Sequence, residues 1–521
     1  MKEFNVTGTC VPNKNYMVDI TDKLKQIKAM IDKEEYFTIN RGRQYGKTTT
    51  LFALENFLRD EYTVISISFE GLDEEEFANA EIFCQTFLKR ISRALRFSDV
   101  DKAYQEAWIN TEVKSFDALG EHITNLCEGK KLVLMVDEVD KASNNRVFLG
   151  FLSKLREKFL ARRVNRDFTF HSVILAGVYD IRNIKLKLIQ EGLLTLGTGE
   201  TTTHNSPWNI AVEFKIDMSF SAQEIETMLS EYEKDHQTGM HIPEVASEIY
   251  NYTSGYPVLV SGICKYIDEI LENNWSPHGV RRAVTLILKE DSPLFQSLTK
   301  NLDSNQDLSH ITYDILMLGG RWLFTFANPV VGLGVRYGYF AEVDNRLKIS
   351  NKIFEMQITN YFVNKEQLVS LKPGSPSSWH NEIIHKDKFN MQICLEKFAK
   401  YYHQHYSDKD SKFIEREARF FFLFFLNSLL NGRGFAHSES ANTDDTRMDV
   451  VVNYLDQQFI VELKIWYGPK RHEDAYEQLQ GYMDKLSLNE GYLLTFNFRQ
   501  KKEPKQEWVE IGDKKIFDII V

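Results

Sequence analysis

The sequence predicts a multidomain α/β protein, and three observations carry that prediction. The chain has 521 residues, enough for about three or four domains at roughly 100–200 residues each. Short apolar, β-branched runs alternate with helically spaced segments over the first 215 residues, the pattern of an α/β layer. A Pro, Gly and Ser-rich stretch, LKPGSPSSWHN at 371–381, reads as a linker before a last part with strands of its own.

In chain order, Tyr36–Asn40, Thr63–Phe69, Leu132–Val136, Ser172–Ala176 and Ile210–Phe214 are the expected strands, with helices at Thr48–Arg59 and Ala78–Leu95 between them. Strands apolar on both sides and separated by helices form a parallel sheet covered on both faces. Ser219–Glu224 starts a helix, and the pattern stays helical to about residue 300. Residues 301–367 read as a small mixed domain, with glycine-punctuated short strands near Val330–Phe340 and a last helix at Asn351–Phe362. After the linker come helices, then strands at Asp449–Tyr454 and Phe459–Lys464. The most apolar run, Phe420–Leu430, is far short of the roughly 20 residues a bilayer requires and fits a buried helix.

The formal charge of −11 argues against a protein that coats nucleic acid through bulk positive charge. Residues 371–521 hold 21 Lys+Arg against 23 Asp+Glu, so the acidity belongs mainly to the first 370. A local basic groove is still allowed, and any nucleic-acid grip would be salt-sensitive. The five cysteines are scattered without a CxxC or Cys/His cluster, which suggests neither disulfides nor structural zinc. The first twenty residues lack the apolar core of a signal peptide, and the expectation is a cytoplasmic protein with no membrane partner.

The first strand runs into Arg41-Gly42-Arg43-Gln44-Tyr45-Gly46-Lys47-Thr48-Thr49 and then a helix. A phosphate-binding loop needs backbone N–H groups at a helix N-terminus, a lysine for the β/γ-phosphates and a hydroxyl for Mg²⁺. Gly46, Lys47 and Thr48 supply these, although Arg41 stands where such loops usually begin with glycine. The strand Leu132–Val136 ends in Asp137-Glu138, a Walker B arrangement. Asp137 would support the Mg²⁺, and Glu138 would polarise the attacking water. Arg43 and Thr49 join the expected nucleotide-binding set. Arg182 is placed where it could sense phosphate or equally be a surface arginine.

YFTINRGRQYGKTTTL, VLMVDEVD, SPWNIAV (206–212) and TSGYPVLVSGIC (253–264) resemble the bacterial AAA-like ATPases of the AAA+/STAND type. Their modified R-x-R-x-[FY]-G-K-[ST] loop matches Arg41, Arg43, Tyr45, Gly46, Lys47 and Thr48. The resemblance covers roughly residues 1–365. It implies a P-loop NTPase domain over 1–215 that uses ATP, a helical lid over 216–300 and a winged-helix-like domain over 301–370. Ser254 departs from the family's [TS]-G-G-x-P-x-L segment, where a glycine is usual.

Near the C-terminus Asp449 begins one strand, and Glu462 and Lys464 share one face of the next. Two carboxylates and a lysine suit a Mg²⁺ site (Mn²⁺ is the alternative) at which the lysine orients water. This spacing resembles the PD-(D/E)xK nuclease superfamily, without its proline, since Met448 precedes Asp449. Gln478-Leu479-Gln480-Gly481-Tyr482 resembles the Q-x-x-x-Y helix of RecB-type members, and Glu417, or Glu415, their first-helix acid. The resemblance implies a restriction-endonuclease-like α/β domain over 371–521, with Asp449, Glu462, Lys464, Gln478 and Glu417 at its site. His403 and His405 lack a third metal ligand. Lys470-Arg471-His472 and Lys501, Lys502 and Lys505 are either phosphate contacts or solvated loops.

The expectation is an ATPase joined to a Mg²⁺-dependent nuclease that acts on nucleic acid, DNA first, with defence against foreign DNA as its setting by analogy and self-assembly allowed. The rival is a nucleotide-dependent switch that binds DNA or protein through a nuclease fold without catalysis.

Overall fold

The computed structural model describes residues 2–142, 146–178, 208–369, 379–405, 415–430, 434–439, 449–497 and 505–521. The chain divides into two compact units. One comprises residues 1–232 with two short outposts, Tyr256–Val258 and Arg336–Gly338; the other comprises Glu233–Gly255, Leu259–Val335 and Tyr339–Val521.

The first unit is built on β1 (Tyr36–Asn40), β2 (Thr63–Ser68), β3 (Leu132–Asp137) and β4 (Ser172–Gly177). All pairings are parallel, in the order β1-β4-β3-β2. Ile65, Leu134 and Leu175 pack on one face with Phe83, Phe87 and Phe151. Val64, Val133 and Ile174 pack on the other with Ile27, Leu51 and Leu54. Both faces are therefore covered, which is why neighbouring residues of one strand can all be apolar.

The expected strand at Ile210–Phe214 is reduced to one parallel bridge, between Val212 and Phe37 of β1. Its side chains explain this: Val212 and Glu213 are exposed, so nothing on that edge rewards a longer ladder, and a charge there discourages pairing with another chain. The helix predicted from Ser219–Glu224 runs over Ala222–His236. Ser221 and Glu224 exchange hydrogen bonds across its first turn, a capping box.

The second unit begins with helices at Ile242–Thr253, Pro277–Ile287, Pro293–Ser304 and Gln306–Leu318. Residues expected as strands near Val330–Phe340 are instead mostly the helix Pro329–Tyr337. Its glycines act through packing, since a Cβ on Gly334 would run into the Phe340 ring. The strands lie just beyond, as the hairpin of β5 (Phe340–Val343) and β6 (Arg346–Ile349), and the following helix extends over Lys352–Val369.

Of the expected linker, residues 371–378 lie outside the described residues. A two-residue hairpin of β7 (Ile384–His385) and β8 (Lys388–Phe389) follows, then helices Met391–His405 and Glu415–Leu430. The last layer is a six-stranded mixed sheet: β9 (Gly434–Glu439), β10 (Asp449–Tyr454), β11 (Gln457–Ile465), β12 (Glu490–Phe496), β13 (Lys505–Ile511) and β14 (Lys514–Ile520). Their order is β13-β14-β12-β11-β10-β9. β11 pairs parallel with β12, which needs a crossover connection, and the helix Pro469–Lys485 provides it. One face packs Val450, Val452, Val461 and Leu463 against Phe398, Phe422 and Phe425. The other packs Val451, Ile460 and Leu493 against Ala475, Leu479 and Met483 of the crossover helix. The apolar run at 420–430 is thus a core helix, and among the described residues no helix is long and apolar enough to cross a membrane.

Candidate functional site

The nucleotide candidate lies at the carboxyl end of β1 and β3. Gly46 turns the loop into the helix Lys47–Leu58 with φ +75°, a backbone angle that glycine adopts without the Cβ penalty. No side chain caps that helix, which leaves its first N–H groups facing the loop, where phosphate oxygens are favoured. Lys47 Nζ donates to the carbonyls of Arg41 and Gly42 at 3.0 Å each. Thr48 Oγ1 donates to Asp137 Oδ2 at 2.6 Å. The loop hydroxyl and the Walker B aspartate are therefore adjacent, and both are hard oxygen donors of the kind Mg²⁺ takes, so the residues fit that ion. Thr49 faces elsewhere: its hydroxyl accepts the Cys10 N–H at 3.2 Å.

Burial pulls the Lys47 ammonium below its ordinary pKa, and Glu138, Asp140 and Asp137 partly oppose this. Burial, then the neighbouring Asp137, raises the Glu138 carboxyl, as suits a group that takes a proton. Glu138 sits at φ +53°, unusual for a residue with a side chain, and its N–H is held by Asp137 Oδ1 at 2.9 Å.

Three further residues contribute to this site, two of which, Tyr256 and Asp140, sequence reading did not single out. Arg41, in the place of a glycine, donates to the carbonyls of Asn40 and Ile216, so it braces the loop from outside. Tyr256 donates to the Arg43 carbonyl at 2.5 Å and packs edge-on against Tyr45. Asp140 accepts the Val178 N–H at 2.6 Å, which ties the end of β3 to the end of β4. The DEVD spacing could have flagged Asp140; nothing local flags Tyr256. Ser254, the departure from the family segment, ends its helix at φ +45°, the conformation for which glycine is usual. Arg182 lies outside the described residues.

Residues 15–273 match the family model of the AAA-like domain. The chain contains an AAA-like domain. No curated protein matches the sequence. Among solved structures, the Walker-type ATPase PABY2304 of Pyrococcus abyssi is similar at 13% identity and TM-score 0.43, over 68% of this chain and 99% of its own. The Aeropyrum pernix ORC2 protein, in its ADPNP–ADP complexes, is similar at 14% identity and TM-score 0.33, over 66% and 93%. The Aeropyrum pernix ORC1 protein in complex with DNA is similar at 10% identity and TM-score 0.28, over 68% and 95%.

Beyond the AAA-like domain, a second candidate site lies on the mixed sheet, under the crossover helix. Glu462 of β11 is fully buried, and Lys464 stands 2.6 Å from its Oε1. Lys464 also donates to Gln478 Oε1 of the crossover helix at 3.0 Å. Three of the predicted residues are thus in one cluster. Val450 pairs with Val461, so the next step of that antiparallel ladder puts Asp449 opposite Glu462. Glu417 falls in the helix Glu415–Leu430. Of this cluster, Glu462 supplies hard carboxylate oxygens of the kind Mg²⁺ or Mn²⁺ takes. Among the described residues, no three His, Cys, Asp or Glu side chains converge as a ready metal site.

The basic residues nearby differ from a loose surface patch. Lys470, Arg471 and His472 belong to the first turn of the crossover helix instead of a loop. His472 is buried and meets Asp518 Oδ2 at 2.8 Å; Lys505 reaches the same oxygen at 2.8 Å. Both are drawn inward by a buried carboxylate, because an unpaired charge there would be costly. Lys501 and Lys502 lie outside the described residues.

Proposed function

We propose that this protein is an ATP-binding, ATP-hydrolysing module joined to a metal-dependent nuclease that acts on DNA. The observation that carries the nuclease half is Lys464, held between the buried Glu462 and the Gln478 amide on the strand that pairs with the one beginning at Asp449. The contact of Thr48 with Asp137 beside Lys47 supports the nucleotide half.

In the AAA-like domain, Lys47 would leave the loop carbonyls for the β/γ-phosphates, while Thr48 and Asp137 would hold Mg²⁺. Glu138, its proton affinity raised by burial, would accept a proton from the attacking water. Arg43 and Gly46 would frame the phosphates. On the mixed sheet, Asp449 and Glu462 would hold the metal, which when bound offsets charge on the scissile phosphate. Lys464 would orient the hydrolytic water, and Gln478 would keep the Lys464 ammonium aimed. Such a set would act on phosphodiesters, which supports nucleic acid as the substrate, with DNA as our first choice. The setting we favour is defence against foreign DNA.

Purified protein incubated with Mg²⁺ or Mn²⁺ and with single-stranded DNA, double-stranded DNA or RNA tests this. Cleavage by wild type and none by Lys464→Ala supports the assignment. If neither cleaves any of them, the chain is a nucleotide-dependent binding protein.

A further inference from the structure

The crossover helix is tied to the sheet on both flanks. At 100° per residue, Ala475, Leu479 and Met483 form its central stripe, and these pack on Leu493 of β12. Tyr476 lies on one flank and Gln478 on the other, and His472 continues the central stripe in the first turn. Gln478 holds Lys464 of β11. His472 and Tyr476 both meet one oxygen of Asp518 on β14, at 2.8 Å and 2.6 Å, and Lys505 adds a third contact at 2.8 Å. The Thr495 hydroxyl of β12 lies 3.4 Å from the other ring nitrogen of His472, and Thr495 is the register partner of Lys464.

Asp518 is fully buried, on the face of β14 opposite to that of its chain neighbours Phe517 and Ile519. Burying that carboxylate carries a desolvation cost, which its contacts with His472, Tyr476 and Lys505 offset. What the carboxylate adds is direction: His472 and Tyr476 of the helix both meet Oδ2, beside Lys505 of β13, and the two helix contacts fix how the helix is rotated about its own axis. Without it a roll of about 10° would move a side-chain tip by about 1 Å at a helix radius of about 6 Å. A misplacement of that size near reacting groups can cost up to about 100-fold in rate.

We infer that Asp518 is a positioning residue for the proposed phosphodiester cleavage: through His472 and Tyr476 it sets the roll of the crossover helix, and so the Gln478 contact that aims Lys464. The inference rests on the nuclease reading above, and the two fail differently.

A double-mutant cycle with Asp518→Asn and Gln478→Ala tests it. Asp518→Asn is expected to lower kcat about tenfold or more, with KM unchanged. Affinity for a phosphorothioate duplex, measured in Ca²⁺, should also stay unchanged. In the Gln478→Ala background, Asp518→Asn should cause no further loss. Multiplying losses, or wild-type kcat in Asp518→Asn, would overturn the inference. ATP turnover and circular dichroism report whether each variant folds. If Asp518→Asn does not fold, Tyr476→Phe, which removes one donor and keeps the ring, takes its place under the same criteria. An inert wild type instead removes the nuclease reading, and this inference with it.

Discussion

Lys47 is an ammonium group that is 8% exposed, and it spends its hydrogen bonds on two carbonyls of its own loop. Under the proposed nucleotide role, it would exchange those carbonyls for phosphate oxygens. Lys47→Ala should reduce ATP turnover by about 100-fold or more, from the loss of an electrostatic contact to the transferring phosphoryl group. Phosphate release measures this, and unchanged turnover would remove the loop assignment. A second residue-scale prediction concerns Asp518. Burial works to raise its pKa, but contacts with His472, Lys505 and Tyr476 outweigh that and hold it below the ordinary carboxylate value. A depressed carboxylate contributes stability above its unfolded pKa, about 3.9. That contribution is lost as pH falls through the folded value. The melting-temperature gap between wild type and Asp518→Asn should therefore narrow from about pH 7 to about pH 3; a gap that widens contradicts the network.

At the scale of elements, the crossover helix depends on Leu479, which is fully buried against the sheet. Leu479→Ala should destabilise the mixed-sheet layer by about 2–5 kcal/mol, seen as faster amide exchange in β11 and β12, while ATP turnover stays near wild type. Exchange unchanged in those strands would mean that the helix is not part of their cooperative layer. The elements legible in the sequence were those with one unambiguous signal. Tyr36–Asn40 and Asp449–Tyr454 appear with the expected bounds because each face of both strands had an apolar layer waiting. The segment at 329–337 was misread because glycine is ambiguous: it breaks a helix by entropy, yet here Gly334 admits the Phe340 ring. The strand at 210–214 was over-read, since apolar character alone does not supply a second neighbour.

For the molecule as a whole, the negative charge gathers in the first 370 residues, so a DNA grip must come from a few local cations. Affinity for a non-cleavable duplex should fall at least about tenfold between 50 mM and 200 mM salt; an affinity that ignores salt would argue against backbone contacts. The chemistry-bearing residues Lys47, Asp137, Glu138, Glu462, Lys464 and Gln478 could be picked out along the chain because each sits in a short motif. Tyr256 and Asp518 could not, because their roles come from contacts such as those with Arg43 and His472, which only folding brings together. The central claim is that Lys464, between Glu462 and Gln478, serves phosphodiester cleavage. Its most direct test is the initial rate of duplex DNA cleavage with Mg²⁺ by wild type, Glu462→Gln and Lys464→Ala side by side. The account predicts cleavage by wild type and a loss of about 100-fold or more in both variants; equal rates in all three would contradict it.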